Sequence, residues 1–415
     1  MGDLILYAIP FFFLAMGLEY LTLRHAAHEH GEAQAANPDA PIGFEAKDTA
    51  TSLSMGVGHL FIAGAWKLVV LVIYAAIYEV SPIQLSPSDW WTWVLLFFAD
   101  DLAYYCFHRS HHRIRLFWAM HVVHHSSEHY NFSTALRQDW SPFSSIFFWM
   151  PSALLFPPWM IYLAFSWSLL YQFLLHTEAI DRLPRPIEFI FTTPSHHRVH
   201  HGANYQYLDK NFGEFLIIWD RMFGTFAEER EKIVYGMYNH PQSFNPIKIN
   251  FHYYVVIFRE MLKAPGLFNK LRIWFMPLSW SPEGKKPLPP EITVQNQKRY
   301  QSVMFDGAKT YLVVHAILTA VLMLFVISPK SPLSYEMKWV GAILLWHSII
   351  NWAGILESKR WLLPSELLRL ALTAVFVFQV TRRMEIQAVV CSLAVFSTLW
   401  SMNYFRLQRD RKSVV

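Results

Sequence analysis

Twelve of the 20 histidines in this chain fall between His108 and His201. Ten of them form three knots: His108, His111 and His112; His121, His124 and His125; and His196, His197, His200 and His201. Residues three and four apart share a helix face. His108 and His112 are therefore expected to point together, as are His121, His124 and His125, and likewise His197, His200 and His201. Neutral imidazole is a common metal donor, and eight of them exceed what one ion takes, so two adjacent metals are expected. His176, after a long apolar run, is a ninth candidate. His111 and His196 fall off this spacing and rank lower. The isolated His59, His315 and His347 read as packed or hydrogen-bonded residues. With imidazole donors and only Cys106 and Cys391 as thiols, iron, zinc, copper and nickel all suit the site. The apolar setting favours a redox metal acting on a lipid, because a hydrocarbon C–H bond needs activated oxygen. Iron is the expectation, with zinc a competitor for nitrogen sites.

The elements that carry these knots must cross a membrane. Of 415 residues, 53% are hydrophobic and 16% charged, against roughly a quarter charged in globular proteins. That balance excludes a disordered or nucleic-acid-binding chain, and two cysteines exclude a disulfide framework. Stretches of about 20 apolar residues occur at 4–23, 53–80, 90–107, 308–327, 337–355, 367–380 and 387–402. The run 144–175 is broken by Pro157-Pro158 and reads as a hairpin that enters and returns. The fold class is thus an all-α integral membrane protein with about nine membrane segments. Arg109, Arg113, Arg115 and Arg137 follow the third span, and Arg182, Arg185, Arg198, Lys210 and Arg221 follow the hairpin, whereas 81–89 has no Lys or Arg. By the positive-inside rule the histidine cap is expected on the cytoplasmic face. The expected organisation is 1–52 (a span and a polar loop from 24), 53–280 (the catalytic part), 281–305 (a linker) and 306–415 (a four-span module with a basic tail).

Polar residues near the knots are candidates for tuning the site. Asp101 lies seven residues before His108 and so on nearly the same face. It is expected to orient a ligand imidazole, with Asp100 taking the role of a solvated carboxylate at the span end. Asn131, Glu178, Asn204 and Asp209 are further candidates of that kind. Tyr130, Arg137 and Gln138 could bind a cofactor or a lipid headgroup beside an apolar wall, while Arg137 is equally suited to anchoring a helix at the membrane surface.

Longer phrases around the knots carry a family resemblance. They include Ala99-Asp-Asp-Leu-Ala-Tyr-Tyr-Cys-Phe-His-Arg, His124-His-Ser-Ser-Glu-His-Tyr-Asn-Phe, Thr193-Pro-Ser-His-His-Arg-Val-His-His-Gly, Ile218-Trp-Asp-Arg-Met-Phe-Gly and Val234-Tyr-Gly. Together they resemble the fatty acid hydroxylase and sterol desaturase superfamily of membrane di-iron enzymes, and within it the alkylglycerol monooxygenase branch. The likeness is dense from about residue 55 to 280. It implies two iron ions, tetrahydrobiopterin or another two-electron donor, and O₂ as co-substrate. The implied reaction hydroxylates the ether-linked carbon of an alkylglycerol, and the product falls apart to a fatty aldehyde and a glycerol derivative. Sterol or fatty-acid hydroxylation or desaturation is the alternative, since those enzymes share the boxes. A protein electron donor would replace the pterin in that case. A metal transporter ranks lower, because transport ligands line a path through the spans and these cluster at one end.

Overall fold

A computed structural model describes residues 4–35, 40–304, 307–328 and 330–412. The chain divides into two compact units, one formed by 1–241 with 249–299, the other by 242–248 with 300–415. Among the described residues the regular elements of the first unit are helices apart from one short hairpin. It opens with α1 (Leu4–Ala35) and α2 (Ala46–Val80), so most of the segment expected as a polar loop from residue 24 is helical. Glu45 starts α2 by accepting the backbone N–H groups of Lys47 and Asp48 at 2.8 Å, which answers two of the donors a helix N-terminus leaves unpaired. Leu68 and Val72 of α2 are more than half exposed, as expected of side chains that face lipid.

Next come α3 (Trp90–Arg113) and, after an extended Ile114, the short α4 (Arg115–His121). Helix α5 (Phe132–Ala135) is capped by Asn131. The expected hairpin has unequal arms. Its first is α6 (Ser145–Trp149) followed by a tight 3₁₀ stretch, Met150–Leu154; only its second, α7 (Pro158–Leu175), is long. Pro151 and the Pro157-Pro158 pair deny the first arm a continuous helical ladder. The core of this unit gathers Leu96, Tyr104, Trp149, Phe156 and Met160. Asp100 sits inside it, 4% exposed, and takes Trp149 Nε1 at 2.6 Å and Ser168 Oγ at 2.8 Å. It therefore pins α3 to both arms and is not the solvated carboxylate expected at that position.

The unit continues through α8 (Arg185–Ile190), α9 (Pro194–His200), α10 (Ile218–Phe223), all but the first three residues of α11 (Pro246–Lys263), and α12 (Gly266–Arg272). Pro194 opens α9 at a position where its missing N–H costs nothing, and Gly224 closes α10 with φ 71°. A two-stranded ribbon, β1 (Trp280–Ser281) with β2 (Gly284–Lys285), begins the stretch expected as linker. The buried Arg115 donates to the carbonyls of Leu278 and Trp280 and pairs with Glu260.

The second unit is built on α13 (Ala308–Ile327), α14 (Tyr335–Leu356), α15 (Leu362–Val380) and α16 (Met384–Lys412). One buried polar knot ties these helices together. Glu366 accepts from Tyr311 of α13 at 2.5 Å, Asn351 of α14 at 2.8 Å and Arg369 of its own helix. His315 meets Arg369 at 2.9 Å and Ser397 of α16 at 3.1 Å. A buried ion pair persists in an apolar setting only when its remaining hydrogen-bonding capacity is met in this way. Among the described residues, six helices are long and apolar enough to cross a membrane: α2, α7, α13, α14, α15 and the 384–403 part of α16.

Candidate metal centre

Nine histidines converge in the first unit in two groups. His108, His112, His121, His125 and His200 form one; His124, His176, His197 and His201 form the other, and within each group the donor atoms lie within 4.8 Å of one another. The grouping does not follow the sequence knots. His124 and His125, in the 3₁₀ turn after α4, go to different groups, and so do His200 and His201 at the end of α9. Successive residues on a helical backbone point about 100° apart, so neighbours cannot serve the same point. The expectation that each box presents one shared face is corrected accordingly.

Four rings are oriented by main-chain carbonyls. Nδ1 of His108 meets Phe212 O at 3.0 Å, His200 meets Lys210 O at 3.0 Å, His176 meets Gln172 O at 2.7 Å and His124 meets Arg137 O at 3.3 Å. A carbonyl only accepts, so each of these rings carries its proton on Nδ1 and turns a lone pair out at Nε2. His124 Nε2 and His176 Nε2 then face each other at 3.1 Å, lone pair against lone pair. In the larger group, Nε2 atoms run in a chain from His108 to His121 (3.0 Å), to His125 (3.1 Å), to His200 (3.1 Å). Both ends are acceptors, and four atoms cannot alternate donor and acceptor when both ends accept. His112 Nε2 is buried without a partner. Hydrogen bonds alone leave both groups frustrated; a cation at the centre of each satisfies every lone pair at once.

The spacing fits the same conclusion. Nitrogens about 2.1 Å from a metal and at right angles lie about 3.0 Å apart, and at tetrahedral angles about 3.4 Å. Five of the six close Nε2 contacts are 3.0 or 3.1 Å, the sixth, His197 to His201, 3.3 Å. Five imidazoles are also one more than a tetrahedral zinc site takes.

Burial, reinforced by the neighbouring imidazoles, holds His121, His125, His197, His200 and His201 well below the usual histidine range. Burial likewise lowers His124 to about 4, against its hydrogen bond to Arg137 O. These rings are neutral near pH 7, as metal donors must be.

The other candidates take different places. Asp101 touches no imidazole: it accepts Phe215 N–H and Trp219 Nε1, each at 2.8 Å, and so fixes the 212–219 segment. Asn131 accepts from Ser133 and donates to Gly43 O. Glu178 takes Ile42 N–H at 2.6 Å, Lys232 and Tyr235. Asn204 bridges Lys232 O and Val234 N–H. None of these three orients a ligand. Asp209 does face one, but its oxygen is 3.8 Å from His112 Nδ1, beyond hydrogen-bond reach. The Tyr130 hydroxyl donates to Leu175 O, and its ring stacks between His176 at 5.6 Å and Tyr235 at 4.8 Å. Arg137 is neither a surface anchor nor free for a ligand; it is buried, paired with Asp48 and bonded to Ser52 and Ser126. Gln138 is turned back to Ala135 O. His111 is spent on Phe107 O and Ser144, His196 on Glu188 and Thr193, and His59, His315 and His347 lie outside both groups. The residues missed from sequence are those that supply carbonyls, above all Phe212 and Lys210, together with Asp220. Asp220 holds Phe212 N–H at 2.8 Å and Gly213 N–H at 2.7 Å.

A helical membrane protein with two histidine clusters at the ends of its spans is the architecture of a membrane lipid hydroxylase, and the fatty acid hydroxylase family pattern matches residues 93–225, which hold all nine histidines. The chain is 37% identical over 332 residues to alkylglycerol monooxygenase of Xenopus tropicalis, covering 76% of this chain and 74% of that protein. Against the enzymes of that name from Homo sapiens and Danio rerio it is 43% identical over 253 and 237 residues, covering 59% and 57% of this chain. The chain belongs to the alkylglycerol monooxygenase family. Its matches span 56% and 53% of the human and zebrafish proteins. No solved structure matches.

Proposed function

We propose that this integral membrane protein is a two-iron monooxygenase that hydroxylates the ether-linked carbon of alkylglycerols. The observation that carries the reading is the contact of His124 Nε2 with His176 Nε2 at 3.1 Å, both rings having given their proton to a carbonyl. His108, His112, His121, His125 and His200 would hold one ion, and His124, His176, His197 and His201 the other. When bound, the metal pair supplies the activation of O₂ that hydroxylating a C–H bond requires. The chain's own residues fix the donors: four carbonyls set the tautomers, and Tyr130, fully buried against His176 and His201, keeps water from the smaller group.

Replacing C–H by C–OH beside an ether oxygen gives a hemiacetal. Its collapse moves one proton and breaks the other C–O bond, releasing a fatty aldehyde and a glycerol derivative. One oxygen atom of O₂ enters the product and the other leaves as water, with two electrons and two protons from a donor. Tetrahydrobiopterin is the donor we assign. The basic loops of the histidine side support a cytoplasmic placement of the centre. Similarity to alkylglycerol monooxygenases favours this substrate over sterols or fatty acids.

The test is turnover of a labelled alkylglycerol by the iron-loaded protein with tetrahydrobiopterin under isotopically labelled O₂. Label is expected in the rapidly trapped aldehyde. Incorporation from water alone would point to hydrolytic cleavage and end the oxygenase reading.

A further inference from the structure

The second unit holds a cavity of about 670 Å³ between α13, α15 and α16, a size typical of a site for a small ligand. It runs from His315, Arg369 and Ser397 to Thr381 and Arg383. From Arg369 to Val380 that is about 16 Å at the helical rise per residue. Leu322, Phe325, Phe376 and Leu393 are among its walls. The hydroxyls along it are already used. Thr319 donates to His315 O at 2.7 Å, Thr373 to Arg369 O at 2.8 Å and Ser348 to Leu344 O at 2.9 Å. None of these three hydroxyls is left calling for a polar partner, and the volume and mostly apolar walls suit one apolar chain.

The charges select the head of that chain. Among the described residues the charged lining groups are Arg369 and Arg383. Arg369, at the deep end, is neutralised by two N–H contacts to Glu366. Arg383 lies at the mouth, in the exposed turn just before the 29-residue α16. Its guanidinium attracts an anion, against the single carboxylate of Glu385 in the first turn of α16. One guanidinium matches one carboxylate through paired N–H···O bonds. We propose that this slot binds a single-chain fatty carboxylate, head at Arg383 and chain running toward Thr373. The site is separate from the histidine centre and does not depend on the reaction assigned to it.

The experiment is equilibrium binding of radiolabelled hexadecanoate to the purified full-length chain in detergent. Saturable binding at one molecule per chain is expected, with hexadecanol competing at least tenfold more weakly. Ala394→Trp, which fills the slot, should remove binding at an unchanged unfolding temperature. Arg383→Glu, an exposed change that leaves the packing intact, should weaken it about tenfold, the loss of one charged hydrogen-bonded contact. Equal competition by hexadecanol, or full affinity in Arg383→Glu, would overturn the proposal. Displacement by lysophosphatidate at lower concentration than by hexadecanoate would overturn the choice of a carboxylate.

Discussion

Phe212 and His108 meet through backbone and ring, the carbonyl of one 3.0 Å from Nδ1 of the other, although 104 residues separate them. The carbonyl is held in place from behind. Asp220, fully buried, accepts the N–H groups of Phe212 and Gly213 and the Thr225 hydroxyl at 2.6 Å. The tautomer of a metal-facing histidine thus depends on a carboxylate that never touches it. Asp220→Asn would turn an amide N–H toward backbone donors. It should lower stability by about 2 kcal/mol and metal affinity about tenfold, read by thermal unfolding and by metal retained after dialysis against a chelator. Retention equal to wild type would show that His108 orients itself.

Adjacent histidines should strip different ions. Since His124 and His125 belong to different groups, His124→Ala and His125→Ala should each abolish activity and lower metal content from about two ions per chain toward one. The surviving ion should differ in its spectrum between the two variants. Identical residual spectra would mean that the two groups serve a single centre.

Arg137 is tied to Asp48 of α2, and its loss should be felt as folding. Arg137→Ala leaves a buried carboxylate uncompensated, at a cost of about 3–5 kcal/mol, and loosens the carbonyl that orients His124. Unfolding temperature should fall sharply. A variant with native stability and only a raised KM for lipid would restore the headgroup role expected from sequence.

Acid should weaken the metal-free fold. Burial lowers His124 to about 4, whereas an unfolded histidine takes its proton near 6.5. Between those values the unfolded chain binds more protons, so stability is full above about pH 6.5 and falls as pH drops toward 4. The denaturation midpoint of metal-free protein at pH 7 and pH 5 measures this. Equal midpoints would mean that the folded rings take up protons as readily as those of the unfolded chain.

Much of the centre was legible in the chain, because imidazoles at helical spacing leave a recognisable pattern. All nine candidate ligands converge, and the four C-terminal helices lie where the apolar runs place them. Two kinds of feature were not legible. A carbonyl has no side-chain signature, so Phe212, Lys210 and Gln172 could not be singled out as ring holders. Distant partners are equally silent: nothing near Arg137 announces Asp48, and Asp101 turns to Trp219, 118 residues on. The division of each HxxHH box was available in principle, from the angle between successive residues.

That division makes α9 a shared part. This seven-residue helix and its C-terminal His201 give His200 to one group and His197 and His201 to the other, and the turn at His124–Ser126 is shared in the same manner. The first ion to arrive must order both pieces of backbone; the second finds its donors already arrayed. Loading should therefore be cooperative, with singly occupied chains scarce at equilibrium, since the entropic cost of ordering falls on whichever ion comes first.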